Sequence, residues 1–160
     1  MVDTPHEDRD VEVLDEAECL ALMATMSLGR IAYTEGALPA VQPVAFALGD
    51  GEVFVATHRG SNVAVASRGA VVAFEVDDFD AGARTGWNVT VVGASRVISD
   101  ADEVSRLDEF GVQPWAPADG HCYIGIQTRL VRGRRISRRA SPLGTVPVVL
   151  DGLPPAALPA

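Results

Sequence analysis

From Leu28 to Val97 the chain is a succession of short apolar runs, LGRIAY, AVQPVAFAL, EVFVAT, VVAFEV and WNVTVVGASRV, separated by Gly, Asp and Ser. Runs of this length, rich in Val and aromatic residues and bounded by turn formers, read as strands. They predict strands over 28–34, 39–48, 52–57, 70–76 and 87–98, and a last strand or pair over 121–137. Gly49-Asp50-Gly51 has the composition of a tight hairpin turn, so the strands on either side of it pair antiparallel. Helical patterns are few and short, and alternating β and α units of helical length are missing. A mainly β fold follows, a small antiparallel barrel of six or seven strands.

The first helix is expected over 16–26. Asp15 can cap it, Glu18 stands three residues on as in a capping box, and Leu14 with Cys19 can form a hydrophobic staple. Its apolar residues Cys19, Leu20, Leu22, Met23 and Met26 follow helical spacing and belong to a core. Ser61–Ser67 suits one or two helical turns, and Ser99 or Asp100 can cap a helix running to about Phe110. At 160 residues this is one domain. It is expected over 11–140, between a flexible acidic stretch at 1–10 and a flexible Pro- and Ala-rich tail at 141–160.

Charge and cysteine usage narrow the classes of partner. The net charge is -9, which disfavours nucleic acid and anionic membranes because their phosphates would be repelled over most of the surface. No apolar run approaches the roughly 18 residues of a membrane span, and the first residues lack a signal-peptide pattern, so the cytoplasm is the expected compartment. Cys19 and Cys122 have no CxxC spacing and read as reduced core residues. The chain contains no lysine, so its cationic side chains at neutral pH are arginines, six of them between Arg129 and Arg139. Schiff-base chemistry on a lysine is excluded.

The chemistry is most legible at Thr57-His58-Arg59-Gly60-Ser61-Asn62. A helix starting at Ser61 would turn free N–H groups outward, with the Thr57 and Ser61 hydroxyls and the Asn62 amide as further donors for an anion such as phosphate. The same residues also describe a capped turn without a ligand. Pro43 cannot donate a ladder hydrogen bond, so its strand lies at an edge, is bulged, or faces a ligand there. Trp87 can stack on a planar ring or simply pack. His6, His58 and His121 have no zinc-site spacing, and no metal is expected. GxSxG, Walker and GxGxxG motifs are absent.

In this order, LGRIAY, AVQPVAFAL, EVFVATHRGSN, VVAFEVDD and WNVTVVGASRV resemble the pyridoxamine 5'-phosphate oxidase-like FMN-binding split-barrel proteins over about residues 14–136. The resemblance implies a six-stranded antiparallel split β-barrel that forms a homodimer with FMN at the subunit interface. It places Val41, Gln42, Pro43, Val44, Ala45 and Phe46 beside the isoalloxazine ring, and Thr57, Gly60, Ser61 and Asn62 around the phosphate. Phe74, Glu75 and Val76 follow the short helix, Trp87 and Asn88 reach the flavin from the next strand, and an arginine from Arg129 to Arg135 approaches from the partner. Asn62 stands where the resembled turn carries a lysine, which replaces a charge-assisted phosphate contact by a neutral one, worth about tenfold in affinity.

Three functions are therefore in view. The first is a flavin-dependent oxidoreductase acting on a small substrate, with the cofactor supplying the redox chemistry. The second is a binding module of the same fold for F420, haem or another planar ligand. In the third, a ligand-free dimer, the Thr57–Asn62 turn is only a cap and Trp87 only packing.

Overall fold

The computed structural model describes residues 9–115 and 120–139. Its elements are β1 (Arg9–Leu14), α1 (Glu16–Met23), β2 (Leu28–Glu35), β3 (Leu38–Gly49), β4 (Glu52–His58), α2 (Asn62–Ala66), β5 (Val71–Asp80), β6 (Thr85–Ile98), α3 (Ala101–Asp108), β7 (His121–Gln127) and β8 (Leu130–Arg138). The expected tail segments at 1–8 and 141–160, with His6, lie outside the described residues.

All strand pairings are antiparallel, in the order β1-β8-β6-β5-β2-β3-β4-β7, and β7 also pairs with β6. That last pairing closes a ring of six strands, β6-β5-β2-β3-β4-β7. Six or seven strands were expected, six by the resemblance, and eight are found among the described residues: β8 and β1 extend the sheet from the flank of β6. β6 can serve both because it is 14 residues long. Residues Gly86–Val92 pair with β8, and Ser95–Ile98 pair with β7. The split falls at Gly93, where an added Cβ would run into the Gln127 carbonyl. Only glycine allows the two backbones this approach.

β1 was not expected. Its six residues pair one for one with β8, from Arg9↔Arg138 to Leu14↔Gly133, so a segment read as acidic tail is ordered by its neighbour from Arg9 onward. The Gly49–Glu52 hairpin turns through Asp50 and Gly51, whose φ values of 49° and 73° are those of the type I′ turn suited to twisted strands. α1 begins as anticipated, with the Asp15 carboxylate accepting from the Glu18 N–H at 2.8 Å, but ends at Met23. The Thr25 hydroxyl donates to the Leu22 carbonyl at 2.7 Å and the Met26 N–H to the Met23 carbonyl, which satisfies the last turn.

Alternation along the strands divides the apolar residues into two cores. Val53, Val55, Phe74, Val76, Val89, Val91, Ile124 and Ile126 fill the barrel, with α1 residues Cys19 and Met23 joining them. Phe74 is fully buried, meets Phe46 edge-on with ring centroids 4.9 Å apart, and occupies the space where a Gly29 side chain would be. The second core lies outside the barrel, where α3 places Val104 and Leu107 on Phe54, Ala56, Ile98 and Tyr123. α3 is held there by Arg96, which donates to Glu52 at 2.8 Å and to Glu103 at 2.7 Å.

Candidate functional site

The ladder between β3 and β4 runs only from Phe46↔Val55 to Gly49↔Glu52, while β3 stays paired with β2 along the whole of Leu38–Ala45. Val41 to Ala45 therefore form an edge open on the β4 side, which is where Pro43 sits. Its lack of an N–H costs the sheet nothing there, as the sequence led one to expect. Beyond the open edge β4 continues to His58 and turns through Arg59 and Gly60 into α2. Gly60 has φ 77°, a conformation that favours glycine.

The side chains of the 41–46 segment divide between two faces. Val44 and Phe46 point into the barrel and are part of its core. Val41, Gln42 and Pro43 are exposed and Ala45 is half-buried. A planar ligand lying along this edge would thus meet the side chains of Val41, Pro43 and Ala45 and the backbone of the rest.

In the turn, the Thr57 and Ser61 hydroxyls are 3.0 Å apart and hydrogen-bonded. Ser61 also accepts the Ala64 N–H at 3.2 Å, so it is the N-cap of α2, a helix of five residues. Asn62 is exposed. Arg59 supplies no charge here, because its guanidinium donates to the Ser99 carbonyl at 3.3 Å beside α3. The turn is a neutral polar cradle.

Trp87 and Asn88 do not join this cradle within one chain. Trp87 is buried in the barrel core. Asn88 lies on the outer face of β6, and β5 and β2 intervene between β6 and β3. Three inter-strand steps of about 4.8 Å put it roughly 14 Å from the β3 edge. Phe74 and Val76 are core, while Glu75 between them faces outward with Asp77 and shares Arg30, at 3.3 and 3.4 Å. Burial, and then the Asp77 charge, raise the Glu75 pKa, and Arg30 offsets this only in part.

The basic stretch of β8 divides by alternation as well. Arg135 faces α1 and bridges Glu12 and Glu18, each at 3.1 Å. Arg132 and Arg134 face the opposite way, in register with Thr90 and Asn88 of β6. The run of arginines in the sequence does not show this division; the period-two spacing RxR facing NxT is the signal that separates it.

A family model described as pyridoxamine 5'-phosphate oxidase matches residues 15–135, the span from α1 through most of β8. An uncharacterized protein of Mycobacterium tuberculosis is 37% identical over 138 residues, covering 83% of this chain and 90% of its own length. Among solved structures, a conserved protein of unknown function from Corynebacterium diphtheriae is similar with a TM-score of 0.66 at 28% identity, over 79% of this chain and 98% of its own. The FAD binding protein from Mycobacterium smegmatis is similar with a TM-score of 0.64 at 25% identity, over 79% and 97%. The resemblance read from the ordered strand motifs, and the split barrel it implied, are borne out. The chain belongs to the pyridoxamine 5'-phosphate oxidase family.

Proposed function

We propose that this protein binds a flavin, FMN first among the candidates, and works as a flavin-dependent oxidoreductase on a small substrate. The observation that carries the reading is the family match over residues 15–135, which includes every residue of the open β3 edge and of the Thr57–Asn62 turn. The related protein from Mycobacterium smegmatis is itself named as FAD binding. The residues present fit such a group in part. Val41, Pro43 and Ala45 offer an apolar shelf for a ring system, and the backbone of the open edge offers hydrogen-bonding groups beside it. Thr57, Gly60, Ser61 and Asn62 offer a phosphate two hydroxyls, an amide and an unhindered backbone, without a positive charge.

When bound, the flavin supplies hydride or electron transfer. The chain's own part is binding and orientation: the β3 edge supports the ring, and the Thr57–Ser61 pair is fixed by its mutual hydrogen bond before any ligand arrives. We further infer a homodimer with the cofactor at its interface. Val13, Val41 and Val71 are 79%, 66% and 72% exposed on the same outer face of the sheet, an apolar area that a second copy would cover. Trp87 and Asn88 would then contribute to the site from the partner, Asn88 by its side chain and the buried Trp87 by its backbone.

The test is the visible spectrum of the protein as purified, followed by FMN titration of any colourless fraction. Two flavin bands, or saturable FMN binding lost in Ser61→Asp, are expected, since a carboxylate in the cradle repels the phosphate. A single deazaflavin band or a Soret band would replace FMN by F420 or haem. Absence of all binding would leave a ligand-free dimer.

A further inference from the structure

Where β3 runs up to the Gly49 hairpin, its outer side borders a groove of about 440 Å³, a size that suits a small molecule. Val44 and Phe46 point into the barrel, so alternation turns Ala45 and Ala47 outward, and these two small residues form the groove's floor. One wall is Met26 with Ser27, from the segment that follows α1. The other is Phe110, Gln113 and Trp115, from the segment that follows α3.

The second wall presents two large aromatic side chains to solvent, Phe110 at 52% and Trp115 at 74% exposure. Phe110 is nevertheless held in place. Its ring stacks on Phe54 with centroids 6.4 Å apart and planes inclined by 22°, and the Tyr123 hydroxyl donates to the Val112 carbonyl just beyond it at 3.2 Å. A fixed aromatic wall loses little freedom when a flat ring is laid against it. Among the described residues no Asp, Glu, Arg or His lines the groove, in a chain of which 22% is charged. A charged ligand would give up water there without gaining a partner, and an anion would also meet the net charge of -9. The exposed Ser27 hydroxyl and Gln113 amide are left for a neutral polar edge such as a carbonyl.

We propose that this groove binds an uncharged, flat, largely apolar molecule, held by Phe110 and Trp115 over the small floor of Ala47. Ala45 belongs both to the groove and to the apolar shelf it forms with Val41 and Pro43, so a molecule seated here lies next to a ring system on that shelf. The groove is thus the substrate site of the proposed flavin enzyme. That role rests on the flavin reading, whereas the binding itself does not.

Calorimetric titration of the full chain with coumarin and with coumarin-3-carboxylate, before and after loading with FMN, tests it. Coumarin is expected to bind in both states, and its carboxylate, the same body with one charge added, about tenfold more weakly or worse. Trp115→Ala should weaken coumarin by about fivefold, and Ala47→Leu, which fills the floor, should abolish its binding. Neither residue belongs to the flavin set, so FMN affinity is expected to be unchanged in both variants. Should Ala47→Leu lower the melting temperature, the exposed Trp115 still decides the outcome. No heat with coumarin overturns the proposal, as does a carboxylate that binds equally well or a coumarin affinity indifferent to Trp115→Ala. Coumarin displaced by FMN also overturns it, since the probe would then have occupied the shelf. A native chain that takes coumarin but no FMN upholds the groove and its ligand class, and it is the flavin reading that falls.

Discussion

The barrel has two outer surfaces that were built differently. Over β4, β7 and the end of β6, α3 covers Phe54, Ala56 and Tyr123, and the polar groups at its margin are matched: Arg96 between Glu52 and Glu103, and Asp108 hydrogen-bonded to His121 at 2.7 Å and to the Tyr123 hydroxyl at 2.8 Å. Over β3, β2, β5, β6, β8 and β1 nothing covers the sheet among the described residues. Valines stand in the open there, and Arg132 and Arg134 meet no carboxylate among the described residues. A face that contributes to stability pairs its polar groups and buries its apolar ones. A face held for a ligand or a second chain leaves both uncompensated.

Truncation under α3 should produce the largest effect. Tyr123 is 1% exposed and joins α3 to the barrel, so Tyr123→Ala should destabilise by about 3–5 kcal/mol, read as a fall in the urea midpoint. A loss under about 1 kcal/mol would mean that α3 is a loose attachment and that the two surfaces differ less than their contacts suggest. Asp108→Ala is milder, about 1–2 kcal/mol, because Tyr123 keeps the Val112 carbonyl at 3.2 Å as an acceptor. On the bare face, Val71→Asp should alter the stability of the single chain by no more than about 0.5 kcal/mol. Its expected readout is a shift toward monomer in sedimentation; an unchanged assembly state would remove Val71 from any interface.

The covered surface was the less legible of the two from sequence. Apolar alternation in EVFVAT and HCYIGIQ reveals a buried strand, but not that Phe54 and Tyr123 point outward under a helix, because nothing in a period-two pattern says which side holds the barrel interior. The hairpin at Gly49–Glu52, the Asp15 cap and the Pro43 edge were legible because each rests on local backbone chemistry. β1 was not, since the RDVEVL run is too short and too acidic to mark a strand until β8 lies beside it. The candidate site shows the same division. Thr57, Gly60 and Ser61 are neighbours in sequence and meet as expected, whereas Val44, Phe46 and Trp87 turned inward because their strand parity, invisible without register, put them in the core.

The smallest effect has opposite signs on the two surfaces, and pH brings it out. Glu103 and Asp108 have depressed pKa values, Glu103 chiefly through its hydrogen bond from Arg96 and Asp108 chiefly through His121. A depressed carboxylate contributes stability above its unfolded pKa and loses it as pH falls through the folded one, so acid should loosen α3 before the barrel. Glu75 on the bare face behaves in reverse. Its raised pKa means that the folded chain holds the proton more tightly than the unfolded chain, so its contribution is present below the unfolded pKa and is lost as pH rises through the folded one. At neutral pH the ionised Glu75 therefore opposes folding, and Glu75→Gln should raise stability there by about 0.5 kcal/mol or less, given its partial exposure. Near pH 3, where the native side chain is protonated too, variant and native should converge. Arg30 keeps Asp77 in the variant, at 3.4 Å, so its charge is not abandoned. A variant less stable than the native chain at neutral pH would show that the Arg30–Glu75 pair outweighs the burial of Glu75, and the bare face would then have its charges matched for stability as the covered one does.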